Sequence, residues 1–169
     1  MDIYASIQRI KGCYLVRNQR ICDMIGLYFS NTSLNDDHDL NDEVYSLHIQ
    51  CWVRMIENDR VTGSSEEMFT PADENCSSFQ YDVDKSVFDV SMYQFVNSHR
   101  TIPIEQVCID ANGDLKLIFS NKSVVQILAN RTNDEDELWR FMILRADDQP
   151  HIIRSNSGYV LSEMDEPCS

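Results

Sequence analysis

The chain predicts an α+β fold, mainly antiparallel sheet built from two meander or hairpin units, with one or two short helices. Three features carry that expectation. Short apolar runs with period-two alternation are separated by polar turn words. An Asn112-Gly113 pair stands between two such runs, "IEQVCID" and "LKLIFS". The words "GLYFSNTS" (26–33) and "KLIFSNKS" (116–123) are near repeats ninety residues apart. A length of 169 residues fits a single domain over 1–169, with an internal duplication of 7–56 and 104–130 as one explanation of the repeat. Convergent meander corners are the other.

Taken in order, Ile7 to Val16 and "ICDMIGLYFS" read as two antiparallel strands joined by a turn at "RNQR". The polar, acidic "NTSLNDDHDLNDE" is an exposed loop. "VYSLHIQCWVRMI" is the strongest strand, with Tyr45, Leu47, Ile49, Cys51 and Val53 on one face; Trp52 on the other predicts cover on both sides. Residues 57–86 read as loop with a short strand around "FQYDV". "SVFDVSMYQFVNS" has apolar spacings that fit a short helix and, nearly as well, a strand. After Pro103, "IEQVCID-ANGD-LKLIFS" predicts a hairpin with a type I′ turn at Asn112-Gly113, and "SVVQILA" a third strand. "NDEDELWRFMI" predicts a short helix capped by Asn133 or Asp134. "HIIRSNSGYVLSE" closes the chain with two short strands around Ser157-Gly158.

Within the repeat, Phe29-Ser30-Asn31 aligns with Phe119-Ser120-Asn121, and "YSLHIQCW" with "SVVQILAN" once the acidic loop is treated as an insertion. Upstream, "IQRIKGC" is set against "IEQVCID". The shared "FSN-x-S" reads as a corner: Phe points to the core, while Ser and Asn satisfy backbone groups in the turn. Neither serine has a histidine nearby in sequence to act as its base.

With 14 Lys+Arg against 28 Asp+Glu, the net charge is −14. That charge repels a phosphate backbone, so nucleic acid is not an expected partner. A basic protein is, although acidity also serves plain solubility. Six cysteines without a CxxC pair, four of them in apolar runs, predict reduced and mostly buried thiols in the cytoplasm. No signal-like or membrane-spanning stretch is present in the sequence, and no membrane partner is expected. The four histidines show no HExxH or Cys-paired spacing, so neither a metal nor a cofactor is predicted. Asp37, Asp39 and Asn41 mimic the first EF-hand spacings, but Asp42 stands where Gly is needed and His48 where Glu is needed.

What remains is acidic: Asp36, Asp37, Asp39, Asp42 and Glu43, echoed by Asp134, Glu135 and Asp136. Such clusters usually form a solvated face, and their sharper reading is a patch that steers a basic partner. The words "DMIGLYFS", "YSLHIQCWVRM", "LIFSNKSVVQIL", "ELWRF" and "PHIIR" together resemble a group of small bacterial proteins that includes immunity proteins of contact-dependent growth inhibition and related toxin systems. The resemblance implies a cytoplasmic, non-enzymatic protein that neutralises a cognate toxin domain, often a basic nuclease. The eight acids above are then the expected toxin-binding residues. A small hydrolase or ligand-binding β domain with a pocket near His48 and His151 is the alternative, and a regulatory subunit kept soluble by its acidity is a third reading.

Overall fold

The computed structural model describes residues 2–33, 42–145 and 150–162. Two antiparallel sheets share one core, and the chain crosses between them twice. A short helix α1 (Ile3–Ile7) runs into a 3-10 turn (Gln8–Ile10) before the strands β1 (Tyr14–Ile21), β2 (Met24–Ser30) and β3 (Glu43–Ile49). Next come β4 (Trp52–Glu57), β5 (Arg60–Ser64), a 3-10 turn (Ser65–Phe69) and helix α2 (Val87–His99). The second half holds β6 (Ile104–Ile109), β7 (Leu115–Phe119), β8 (Val124–Leu128), β9 (Glu137–Ile143), β10 (Ile152–Ser155) and β11 (Gly158–Leu161). One sheet has the order β1-β2-β3-β9-β10-β11, the other β5-β4-β8-β7-β6.

The two halves follow one plan. Each begins with a three-strand meander, β1-β2-β3 or β6-β7-β8, and then sends its fourth strand into the other half's sheet: β4 pairs with β8, and β9 with β3. Both meanders carry an extra residue at the same place. Leu15 faces Phe29 and Arg17 faces Tyr28, skipping Val16; Ile104 faces Phe119 and Gln106 faces Ile118, skipping Glu105. The registers Leu27↔Leu47 and Leu117↔Val125 then place "YSLHIQCW" and "SVVQILAN" on equivalent positions. Because each half donates a strand to the other's sheet, the halves cannot separate without opening both ladders.

The upstream alignment of "IQRIKGC" with "IEQVCID" is incorrect, since the true counterpart of β6 is β1. The first of those words is helical, started by Asp2, whose Oδ1 accepts from the Ala5 amide, and it buries Ile7 and Ile10. "RNQR" is strand, not turn; its arginines leave the sheet to meet carboxylates on Glu43 and Asp89, which explains polar letters inside a strand. The turn falls at Cys22-Asp23, where Cys22 takes φ 53°. "VYSLHIQCWVRMI" divides at Gln50-Cys51, because the chain changes sheets there. "FQYDV" is a turn closed by bonds to Gln80 O and by the Asp84 carboxylate on the Gln80 amide. "SVFDVSMYQFVNS" is the helix α2, started by a reciprocal Ser86/Asp89 capping box.

At the β6–β7 turn only Gly113 has positive φ (93°). The Asp110 carboxylate accepts from the Asn112 and Asp114 amides, so an Asx-type loop replaces the two-residue I′ turn. "ELWRFMI" is strand β9, not a helix: Asn133 Oδ1 accepts from the Glu135 amide in a turn, and β3 and β10 hydrogen-bond the following segment on both sides. Of the described cysteines, Cys13 and Cys51 are buried, but Cys22 and Cys108 are exposed; all five described cysteines are free.

The repeated corners are structural. Phe29 and Phe119 are fully buried, Ser30 Oγ accepts from the Thr32 amide, and Asn121 Oδ1 accepts from the Ser123 amide. The asparagines differ in their second contact. Asn31 Oδ1 receives the weak Cys13 thiol, whereas Asn121 Nδ2 donates to Nε2 of the buried His99 at 3.1 Å, whose Nδ1 lies 2.8 Å from Phe95 O. Removing the Asn121 side chain leaves the buried His99 Nε2 without a hydrogen-bond partner, its other polar neighbour being the Glu57 carboxylate at 3.9 Å. Asn121→Ala is therefore expected to cost about 1.5 kcal/mol in urea denaturation, and Asn31→Ala less than about 0.5. Equal costs would contradict this account.

Candidate interaction surface

The crossing from β3 to β4 takes only Gln50 and Cys51, whereas the crossing from β8 to β9 takes residues 129–136. Where these strands part company, a cleft of about 490 Å³ opens. Trp52 forms one side. Val53 after it points into the core, so the alternation of β4 turns Trp52 outward, where 49% of it is exposed. Its amide donates to Asn130 Oδ1 at 3.3 Å, which ties the two crossings together.

Phe69 also lines the cleft. The 3-10 turn that carries it is capped by Ser64 and Glu67 and buries Met68, which leaves Phe69 turned out and 63% exposed. Its ring lies 5.2 Å from that of the exposed Tyr81. Tyr81 is held in turn through its carbonyl, which accepts from Arg20. Exposed aromatics grouped at a cleft are uncommon on a solvated surface and typical of binding anchors.

The polar residues of the cleft are Asp23, Gln50, Ser65, Glu66, Asn130 and Arg131. Arg131 Nε donates to Gln50 O at 2.9 Å, and its terminal nitrogens lie 3.6 Å from the Asp23 carboxylate and 3.8 Å from that of Asp136. Cys51 lines the cleft, and burial, reinforced by Asp114 and opposed by Arg131, pushes its thiol up to about 12. It stays protonated at neutral pH and is a poor nucleophile. Ser65 Oγ accepts from the buried Val53 amide. Among the described residues no imidazole lines the cleft.

The predicted site residues fall into three groups. Asp36, Asp37 and Asp39 lie outside the described residues. Asp42 is exposed, but Glu43 is a correction: it is buried, and both its oxygens accept from Arg17, at 2.6 and 2.9 Å. Glu43 therefore holds β3 to β1 instead of facing a partner. Asp134 and Glu135 form an exposed turn pinned to the β10–β11 hairpin by Asn156 and Ser157, and Asp136 stands beside Arg131 at the cleft.

His48 and His151 line neither this cleft nor a second one of about 430 Å³ beside Pro71 and Phe79. His48 faces Gly26 and Arg140 across the sheet; burial and then Arg140 lower its pKa. Among the described residues no group of three metal-binding side chains gathers, and no helix is long and apolar enough to cross a membrane.

Trp52, Phe69, Asp23, Glu66 and Arg131 were not among the expected residues. The signal available for them was the unequal length of the two crossings, visible once "YSLHIQCW" is aligned with "SVVQILAN". Comparison with family models, with curated proteins and with solved structures finds no match to this chain.

Proposed function

We propose that this protein is an immunity-type inhibitor that binds a basic toxin domain through the Trp52/Phe69 cleft and blocks it. The observation that carries the reading is the grouping of half-exposed aromatics with carboxylates on a chain of net charge −14. Aromatic anchors supply affinity, and the surrounding acids speed encounter with a cationic partner. That the partner is a toxin rests on the resemblance of the strand words. Two crossings held together by the Trp52–Asn130 bond provide a rigid base, which limits the ordering cost of association.

The test is co-expression with the toxin domain encoded beside this chain's gene. Binding by calorimetry and rescue of growth are expected; absence of both removes the proposal. A triple neutralisation, Asp23→Asn with Glu66→Gln and Asp136→Asn, is expected to slow association about tenfold at low salt and to flatten its salt dependence. An unchanged association rate would clear these acids of a steering role.

A further inference from the structure

We infer that the cleft is a receptor for an arginine side chain presented by an extended segment of the partner. This inference rests on the reading of the chain as a binder of a basic protein, and it names the group recognised. The chain's own Arg131 shows the recognition geometry. Its guanidinium donates to a backbone carbonyl, Gln50 O, and its ends face two carboxylates.

Those carboxylates are not saturated. Charge-assisted N–H···O bonds close to about 2.7–2.9 Å, whereas Arg131 stands 3.6 and 3.8 Å from Asp23 and Asp136. The Asp23 side chain is 60% exposed. Glu66 also lines the cleft and makes no ion pair among the described residues. Two carboxylates line the cleft, Asp23 and Glu66, and Asp136 stands beside Arg131, so the one guanidinium there leaves the site negatively charged and suited to a further cation.

The aromatic walls select the kind of cation. A guanidinium stacks on an indole or phenyl face while its edge reaches carboxylates in a bidentate fork; an ammonium is more strongly hydrated and acts as a point charge. Trp52 and Phe69 supply the faces, and Asp23 and Glu66 the acceptors. A cleft of about 490 Å³ exceeds one side chain. The arginine therefore enters with its neighbouring residues, which suits an extended segment.

The two tryptophans make the test selective, since Trp139 is fully buried and Trp52 is not. The probe is the capped tripeptide acetyl-Gly-Arg-Gly-amide, titrated while the two indole N–H resonances are followed by NMR, with Trp52→Phe assigning them. Saturable movement of the Trp52 signal alone is expected, weaker with the lysine peptide and absent with the norleucine peptide. Asp23→Asn with Glu66→Gln should weaken the arginine peptide about tenfold. Equal movement with norleucine, or no saturable movement with arginine, overturns the assignment. An arginine response in a protein that fails to bind the toxin domain would retain the cleft chemistry and remove the toxin reading. Toxin binding unaffected by the double variant, with a silent peptide, would do the reverse.

Discussion

Replacing Trp52 by alanine is expected to weaken toxin-domain binding by about a hundredfold, mostly through faster dissociation. A half-exposed indole lining a cleft loses its remaining contact with water only in the complex, and truncated anchors of this kind typically cost more than about 2 kcal/mol. The same change should leave the fold intact. Trp52 is held by its backbone, through the ladder to Leu128 and the bond to Asn130, and its ring points away from the core that begins at Val53. Phe69→Ala is expected to cost about tenfold, because Phe69 lies on a short 3-10 turn and part of its area is already covered by Tyr81. Calorimetry on both variants, with thermal melts as the control for folding, checks the pair. Binding of Trp52→Ala within twofold of the parent would place the interface elsewhere.

Much of the strand content was legible because inward and outward residues alternate wherever one sheet face is buried. β7 follows that rule from Leu115 to Phe119 and β4 from Trp52 to Met55, whereas β2 and β8 were legible as continuous apolar runs, with consecutive buried residues. The errors cluster where a local signal was overruled by distant partners. Arg17 and Arg20 look like turn residues until Glu43 and Asp89 are placed opposite them, 26 and 69 residues away. Asn133 to Glu137 carry the letters of a helix start, yet ladders to β3 and β10 claim the following residues as strand. A thirteen-residue apolar run looks continuous from Val44 to Ile56 although it serves two sheets. Nothing in periodicity marks the point of crossing.

The candidate site was less legible than the fold for the same reason. Its members come from the β1–β2 turn, the β3–β4 crossing, a 3-10 turn and the β8–β9 crossing, and only the topology assembles them. The acidic words did point near it, since Asp136 faces Arg131 at the cleft. They also pointed to Glu43, whose charge is consumed within the fold. A carboxylate's letter does not reveal whether its partner is a solvent molecule, another protein or an arginine two strands away. The repeat was the more useful guide, because two halves of one plan expose their differences, and one of these is the longer second crossing at the cleft.

Asp89→Ala is expected to destabilise the protein by about 3 kcal/mol. Asp89 does two jobs at once. It closes the capping box of α2, accepting from the Ser86 amide and hydroxyl at 2.8 Å each, and it receives both Nε and Nη2 of Arg20 on β1, at 2.7 and 2.8 Å. The Arg20 side chain is only 9% exposed, so the loss of Asp89 leaves a mostly buried guanidinium with backbone carbonyls of Cys22, Tyr81 and Asp84 as its acceptors. Asn at this position keeps an acceptor without the charge, and about half the cost is expected. The pH dependence follows from the carboxylate. Burial alone would raise its pKa, but the bonds from Arg20 and Ser86 outweigh burial and hold it below the ordinary value of 3.8. The folded value is thus lower than the unfolded one. The Asp89 contribution is fully present above about pH 4 and is lost as pH falls through the depressed folded value. Urea denaturation of the parent and of Asp89→Asn at pH 7, 5 and 3 should show the gap between them constant from 7 to 5 and narrowed at 3. A gap that does not change at pH 3 would mean that the carboxylate's charge contributes nothing to the clamp. Because Arg20 also holds Tyr81 beside Phe69, Asp89→Ala should in addition weaken toxin binding several-fold, a link between the α2 clamp and the cleft that Asn121→Ala, at the opposite end of α2, should not reproduce.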